Sequence, residues 1–268
     1  MFSDFMINTW TVASLIAVTA GLVGFFTVIR GASFAAHTIP LSTFPGAAAA
    51  VLLGVNQVWG LIVAAGLSVI GINALSRRGQ PDVATAMTLV MMLGLGTLCL
   101  SQISQYSQQV YALLFGQVFG ISRASITPVA VIDVLAAGAL LMLFRPLLLS
   151  SLSTDLLQTR YLTATRLDLA FLIILALASA VALPVVGALL VFSLMVGPAS
   201  AARNITSRPV IAMGVTVLIS LLTVWTAIVL SYVTNWPVGF FVGGFGAIAY
   251  GAGRGVMRIR RWKPSPIS

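Results

Sequence analysis

The sequence predicts an all-α protein that crosses the membrane many times as a polytopic helix bundle. Hydrophobic residues make up 59% of the 268 residues and charged residues only 7%, which is too apolar for a soluble domain with a wetted surface. The apolar residues form nine segments, most of them near the ~20 residues that an α-helix needs to span a bilayer. The basic residues fall almost entirely in alternate connections between these segments.

The nine predicted spans are assigned to one transmembrane domain that covers residues 1–268. The first ten residues contain an acid and no basic residue, so they lack the basic region of a cleaved signal peptide and should remain as part of the first span. The apolar stretch 168–202 would reach roughly 52 Å as one helix. Because the bilayer core is only about 30 Å thick, we divide this stretch at Pro184. In order, the predicted spans cover residues 8–29, 33–54, 57–75, 83–104, 126–144, 167–183, 185–202, 210–233 and 238–253.

The positions of the basic residues predict the orientation of these spans. With the N-terminus outside and the C-terminus in the cytoplasm, thirteen of the 14 Lys and Arg residues lie in cytoplasmic connections and only Arg123 lies outside. An excess on the cytoplasmic side is the positive-inside pattern. The net charge of +9 therefore reflects orientation in the bilayer, and we predict no nucleic-acid partner.

Residue types that catalysis requires are scarce in this chain. The five acidic residues are all Asp, and Glu is absent. The only Lys, Lys263, lies in the C-terminal tail, so no glycine-rich loop can end in the Lys-Ser or Lys-Thr that binds nucleotide phosphates. The single Cys, Cys99, excludes an internal disulfide and a Cys-rich metal site. We predict that this chain is not an enzyme, holds no cofactor and does not itself hydrolyse ATP through a P-loop.

The segment 33–54 has spanning length but contains Pro40, Pro45 and the only histidine of the chain. Proline interrupts a helix, and a broken backbone is tolerated in hydrocarbon only where protein covers it or where it lines a water-filled cavity. We therefore place this segment inside the bundle and take its polar side chains as candidates for a transport pathway, with His37 as the candidate metal ligand. A histidine that is simply hydrogen-bonded near the inner end of the span is the alternative. The pathway candidates in this segment are Ser33, His37 and Thr38.

Asp133 is the one acidic residue well inside a predicted span, about two turns into segment 126–144. An ionisable residue within a span is rare and is a functional hypothesis by default. Asp82 and Asp168 instead lie at helix starts, where a carboxylate favours the helix dipole. Asp133 therefore joins the pathway candidates, while a structural pairing with Ser, Thr or Arg123 stays open.

Two connections are longer than turns. Residues 105–123 are amphipathic and are expected on the outer surface, whereas 145–166 form the only long cytoplasmic loop. In that loop, leucines at helical spacing follow Ser-Thr-Asp, which predicts a capped amphipathic helix. Such a helix either lies on lipid headgroups or docks on a cytoplasmic partner. The candidate docking residues are Leu152, Asp155, Leu156, Leu157, Arg160 and Thr163.

Small residues recur at every fourth position in three of the predicted spans. Such stripes let a neighbouring helix approach closely, so we predict that they are packing faces. They consist of Gly239, Gly243, Ala247, Gly251 and Gly255 in the last span, Gly46, Ala50 and Gly54 in the second, and Gly60, Ala64 and Ser68 in the third.

Several longer stretches occur in an order and spacing that point to a known family. They are GALLVFSLMVGPASAAR at 187–203, RGASFAAHTIPLSTFPGAAAA from Arg30, and LFGQVFGIS from Leu114. These resemble the GALLV…PAATAR, RGxSFxGDALSHxxFPGxxxA and LFGxxLGIS stretches of bacterial ABC importer permeases of the zinc, manganese and iron type. The loop at Asp155 is similar to the coupling segment of that family, so the resemblance extends over nearly the whole chain.

The resemblance implies the membrane-spanning permease subunit of an ATP-driven importer in the bacterial plasma membrane, working by alternating access. The transported substrate would be a divalent metal ion such as zinc, manganese or iron. The implied partners are two cytoplasmic ATPase subunits that bind the ATP, an extracytoplasmic metal-binding protein, and a second permease copy in a homodimer or a paired permease.

The chain departs from the family pattern at two positions of the metal segment. His37 stands where the family has Asp, and Leu41 stands where it has His four residues later. The usual Gly of the coupling segment falls near Thr163. The identity of the ion, and the presence of a metal site in the pathway, are therefore left open. An ABC permease for a metal chelate or another small solute, and an ion-coupled secondary transporter, are the alternatives.

Overall fold

The described part of the chain is helical throughout and contains no strand, which confirms the predicted all-α class. The computed structural model describes residues 4–76, 80–102, 123–152 and 164–262. The helices in these ranges are α1 (Asp4–Ile29), α2 (Ser33–Ser42), α3 (Phe44–Leu52), α4 (Gln57–Ser76), α5 (Pro81–Leu100), α6 (Arg123–Met142), α7 (Phe144–Leu152), α8 (Ala164–Val186), α9 (Ala188–Ile205), α10 (Pro209–Thr234) and α11 (Val238–Trp262).

Within the described residues, five helices are long and apolar enough to cross a membrane, namely α1, α4, α5, α8 and α10. Helices α6 and α7 meet at an angle of 59° and make a sixth candidate if they form one bent span. The other three predicted segments differ, because 33–54 is divided into α2 and α3, α9 has only 18 residues, and α11 is rich in glycine. A multi-pass membrane protein follows from these lengths, while the count of nine spans stays a prediction.

Helix α1 lies at the centre of the bundle. It packs against α6, α8, α9 and α10, and its Val23 and Phe26 are fully buried. A Cβ atom at Gly24 would lie 2.1 Å from the carbonyl oxygen of Met195 on α9. Because real side chains do not come this close to a backbone oxygen, the packing of α1 on α9 requires glycine at this position.

The predicted break in the second segment is confirmed and lies at Thr43, between α2 and α3. Pro45 stands in the first turn of α3, where its missing N–H breaks no helical hydrogen bond. The hydroxyl groups of Ser42 and Thr43 donate to the carbonyl oxygens of Ile39 and Pro40, over 2.9 and 2.7 Å respectively. These bonds add side-chain donors to carbonyl groups at the end of the interrupted helix, where the N–H of Thr43 also donates to the carbonyl oxygen of Pro40 over 3.3 Å. Both prolines are buried, so protein covers the break, as the sequence predicts.

The predicted division of 168–202 into two helices is confirmed, but the break does not lie at Pro184. Helix α8 continues through Pro184 to Val186, and the chain breaks at Gly187, before α9. Gly187 has a φ angle of +88°, which side chains of L-residues rarely adopt. The break therefore depends on the conformational freedom of glycine, whereas the last turn of α8 accommodates the proline.

The predicted small-residue faces of the second and third spans are confirmed as the contact between α3 and α4, except at Gly54, which lies beyond the end of α3 and has no described atom within 4 Å of a Cβ position. A Cβ atom at Gly46 would lie 1.9 Å from the carbonyl oxygen of Gly60, and one at Gly60 would lie 2.0 Å from that of Gly46. The methyl groups of Ala64 and Ala50 are the next neighbours of these two positions. The two backbones thus pack directly on each other.

Of the stripe predicted on the last span, Gly239 packs on α9, where a Cβ atom would lie 2.4 Å from the Leu190 side chain, but the later glycines of the stripe do not pack on the described residues. In the described part of the chain, nothing lies within 4 Å of a Cβ atom built at Gly243, Gly251 or Gly255. Helix α9 instead packs closely on Gly246 and Gly253, which lie seven residues apart and so on one side of α11. Two series of small residues run along this helix, and beyond Gly239 the four-residue spacing selected the series that faces away from α9.

Most of the predicted docking helix lies outside the described residues. Leu152 is the last residue of α7, so it belongs to the helix that precedes the predicted cap. The other five docking candidates, and the outer connection as far as residue 122, fall in the ranges that are not described.

Candidate functional site

Helix α2 has one side that is less buried than the rest, and this side carries Ser33, His37 and Leu41. Residues four positions apart lie above one another on a helix, so the three side chains share a face. All three are half-buried, and the adjacent Phe34 is 40% exposed, whereas Ile39 on the other side is fully buried. We call the surface formed by Ser33, His37 and Leu41 the α2 face.

His37 packs against an aromatic ring of α9. Its ring centroid lies 5.0 Å from that of Phe192, and the planes meet at 72°, an edge-on arrangement. The Nδ1 atom is buried and has no hydrogen-bond partner among the described residues. The structure thus does not supply, at this nitrogen, the hydrogen bond of a purely structural histidine. A neutral imidazole with a free ring nitrogen is able to bind a metal ion.

Thr38 has a different position from His37. Consecutive helical residues point about 100° apart, and the Thr38 side chain is fully buried within the bundle. Its Oγ1 has no partner among the described residues, whereas buried Thr27 and Thr88 donate to the carbonyl group four residues before them. Of the candidates on this segment, Ser33 shares a face with His37 and Thr38 does not.

Asp133 belongs to another part of the bundle. Helix α6 packs on α1 and α8, whereas α2 packs on α4, α5, α8 and α9. The Asp133 side chain is 2% exposed, and its carboxyl group accepts a hydrogen bond from the hydroxyl of Thr19 on α1. Its Oδ2 atom has no partner within the described ranges. The structure therefore favours the pairing with a Thr side chain and does not bring Asp133 to the α2 face.

Within the described ranges, no three His, Cys, Asp or Glu side chains lie close enough together to hold a metal ion. A tightly bound metal needs three or four protein ligands. One copy of this part of the chain therefore supplies a single imidazole at the α2 face, and further ligands must come from water, from hydroxyl groups or from another subunit.

Arg30 is a residue whose contacts sequence reasoning missed. Its guanidinium group forms an ion pair with Asp168 and lies 5.5 Å from the ring centroid of Phe171, both on α8. It also donates to the hydroxyl of Ser150 and, over 3.2 Å, to the carbonyl oxygen of Leu147, both on α7. Asp168 thus pairs with an arginine, in addition to lying near the helix start expected for it. The only signal in the sequence for this ion pair was that Arg30 and Asp168 are predicted at the same membrane surface.

Comparison with known proteins identifies the family. The sequence profile of the ABC 3 transport family matches residues 2–247. The chain belongs to this family. It is 28% identical over 200 residues to the manganese import system permease protein ScaB of Streptococcus parasanguinis, a match that covers 74% of this chain and 71% of that protein. It is 24% identical to the high-affinity zinc uptake system membrane protein ZnuB of Buchnera aphidicola, covering 85% of this chain and 88% of that protein.

The fold of this ABC 3 family member is also that of a solved structure. PsaBC from Streptococcus pneumoniae, solved in complex with Fab, aligns with a TM-score of 0.83. The alignment covers 98% of this chain and 96% of that chain at 21% sequence identity. This similarity confirms the arrangement of the helices.

Proposed function

We propose that this chain is the permease subunit of an ATP-driven importer for a divalent metal ion, with manganese and zinc as the leading candidates. Membership of the ABC 3 transport family and the manganese and zinc systems among its relatives support this assignment. The chain acts as one transmembrane domain in the bacterial plasma membrane, and it alternates between outward-open and inward-open states.

The observation that carries the proposal within the molecule is the α2 face with the buried Nδ1 of His37, which finds no hydrogen-bond partner in the described ranges. Imidazole is a good ligand for zinc and other divalent transition metals. A second copy related by a two-fold axis would bring a second His37 to the same pathway, and Ser33 would add an oxygen ligand. Leu41 offers no ligand, so the ion is held weakly, which suits a conduit because tightly held ions do not leave. Thr38 and Asp133 are the remaining pathway candidates.

Energy comes from partner subunits. With its single Lys in the tail, the chain has no P-loop, so two cytoplasmic ATPase subunits bind and hydrolyse the ATP. They dock on the segment with Leu152, Asp155, Leu156, Leu157, Arg160 and Thr163. An extracytoplasmic metal-binding protein delivers the ion to the outer side. Nine spans with the N-terminus outside place the docking segment in the cytoplasm.

The test is metal-stimulated ATP hydrolysis by the complete complex. The permease is purified with its ATPase, reconstituted in proteoliposomes with the binding protein, and assayed with Mn²⁺, Zn²⁺, Fe²⁺ and Ca²⁺ in turn. We expect Mn²⁺ or Zn²⁺ to stimulate hydrolysis and to enter the vesicles, and Ca²⁺ to do neither. Uptake without ATP, driven by an ion gradient, would contradict the proposal and favour a secondary transporter.

A further inference from the structure

The main chain around Arg30 forms a hydrogen-bonded cap at the end of α1. Arg30 follows the last residue of α1, and the N–H of Ala32 bonds the carbonyl oxygen of Thr27 over 2.9 Å. The N–H of Gly31 donates to the carbonyl oxygen of Val28 over 3.3 Å, and Gly31 has a φ angle of +68°. This pair of bonds around a left-handed glycine is a Schellman cap. The cap fixes the base of the Arg30 side chain and sets the start of α2, three residues later.

The side chain at Arg30 connects two helices that are consecutive in the chain. Leu147 and Ser150, which accept its hydrogen bonds, lie on α7, the helix that ends at Leu152. Asp168, its ion-pair partner, lies near the start of α8, which begins at Ala164. The residues between these two helices are 153–163, which contain five of the six predicted docking residues. Arg30 therefore binds both helices that flank this segment.

The chemistry of the cluster explains why an arginine is needed. The Arg30 side chain is only 9% exposed, whereas that of Asp168 is 61% exposed. A guanidinium group has five N–H donors in a planar fork, so it can bond a carbonyl, a hydroxyl and a carboxylate at the same time. An ammonium group would keep the charge but not this planar geometry. No other ion pair lies within the described part of the chain.

We propose that Arg30 is the positioning residue that transmits movement of the docking segment to the α2 face. The proposal rests on the proposed function, because it takes 153–163 as the ATPase docking segment. When the ATPase subunits close and displace α7 and α8, the Arg30 cluster carries the displacement to the cap of α1. Because α2 begins at Ser33, directly after this cap, His37 moves with it.

The experiment compares transport with ATP hydrolysis in reconstituted complexes. Arg30→Ala removes the side chain but leaves the backbone cap intact, and Arg30→Lys keeps the charge. Arg203→Ala is the matched control, because Arg203 donates over 3.3 Å to the carbonyl oxygen of Val28 at the same end of α1 and, among the described residues, has no hydrogen bond or ion pair with α7 or α8. The readouts are the amount of ATPase that co-purifies, the rate of ATP hydrolysis, and the uptake of radiolabelled Mn²⁺ per ATP hydrolysed.

Arg30→Ala should bind the ATPase and hydrolyse ATP at near wild-type rates, while Mn²⁺ uptake per ATP falls at least about fivefold, the lower range of coupling between sites. Arg30→Lys should give an intermediate ratio, and Arg203→Ala the wild-type ratio. Asp168→Asn should also lower the Mn²⁺ uptake per ATP. The double variant Arg30→Ala/Asp168→Asn should show no lower uptake per ATP than Arg30→Ala alone. A wild-type ratio in Arg30→Ala, or equal losses in Arg30→Ala and Arg203→Ala, would overturn the inference. Failure of the proposed function would differ, because the wild-type complex would then show no metal-dependent hydrolysis.

Discussion

His37 is half-buried, and its buried Nδ1 atom has no hydrogen-bond partner among the described residues. Leaving a buried hydrogen-bonding atom unsatisfied costs about 1–3 kcal/mol. A passing ion, or a group from a second subunit, would offset this cost at Nδ1. The contact with Phe192 limits the movement of the ring on the side of α9. These properties are the reason why we propose His37 as the residue of the α2 face on which metal passage depends most.

Replacing His37 by Ala should reduce metal uptake severalfold without lowering permease abundance, because the ring is half-buried and its removal leaves the helix intact. His37→Asp, which supplies an oxygen ligand, should retain more uptake than His37→Ala. Phe34→Leu is the control, since it changes an exposed apolar side chain on the same helix. Uptake of radiolabelled Mn²⁺ and Zn²⁺ at matched expression is the measurement. Undiminished uptake by His37→Ala would assign the ring a packing role only.

At the scale of elements, close approach of helices decides which glycine residues matter. The contact between α3 and α4 brings the backbones of Gly46 and Gly60 together, and no side chain fits between them. Gly66, on the same helix α4, has nothing within 4 Å of the position of a Cβ atom in the described structure. Two glycine residues only six positions apart thus have opposite packing environments. Their substitution separates packing from helix propensity.

Gly60→Ala should destabilise the permease by roughly 1–3 kcal/mol, the usual cost of inserting a group into a filled core. Gly66→Ala should be neutral or stabilising, because alanine favours a helix by up to about 1 kcal/mol over glycine. The melting temperatures of the two purified variants in the same detergent decide between these outcomes. Equal melting temperatures would mean that α3 and α4 separate without cost.

The predicted docking segment is a second case at this scale. Replacing Leu156 and Leu157 together by Asp should uncouple transport from ATP hydrolysis, since carboxylates cannot enter an apolar groove of a partner. The permease itself should still fold and reach the membrane. Co-purification of the ATPase and metal uptake are the measurements. Full co-purification with normal uptake would identify this segment as a helix that only lies on the lipid surface.

At the scale of the whole molecule, charge and span number must agree. Five described helices qualify as spans, or six with the bent pair α6 and α7. Helices α2 and α3 together, α9 and α11 make up the three remaining predicted segments. With an odd number of spans and the C-terminus in the cytoplasm, thirteen of the 14 basic residues lie on the cytoplasmic side, as the positive-inside rule requires. The orientation of the termini therefore tests the nine-span prediction.

Fusion of a reporter that is active only in the cytoplasm should give signal at the C-terminus and none at the N-terminus. An epitope at the N-terminus should be accessible from outside in intact spheroplasts. The physical reason is the cost of moving the clustered arginines of the C-terminal tail across the bilayer. Signal from both termini in the cytoplasm would require an even number of spans.

The sequence by itself determined the fold class, the membrane setting and the absence of a P-loop, because these depend on composition and on residue types that are present or missing. It also located the break in 33–54 and the small-residue faces of α3 and α4, since proline and glycine act on the backbone locally. The α2 face could be drawn from helical spacing alone, because Ser33, His37 and Leu41 lie four residues apart.

Only the tertiary structure decided which faces meet. The break at Gly187, the face of α11 that packs on α9, and the pairing of Asp133 with Thr19 all depend on which helices are neighbours. The Arg30–Asp168 pair joins residues 138 positions apart, and no local pattern connects them. Helix breaks and turns depend on residues that are close in sequence, whereas the partners of a side chain in a bundle depend on how the helices pack.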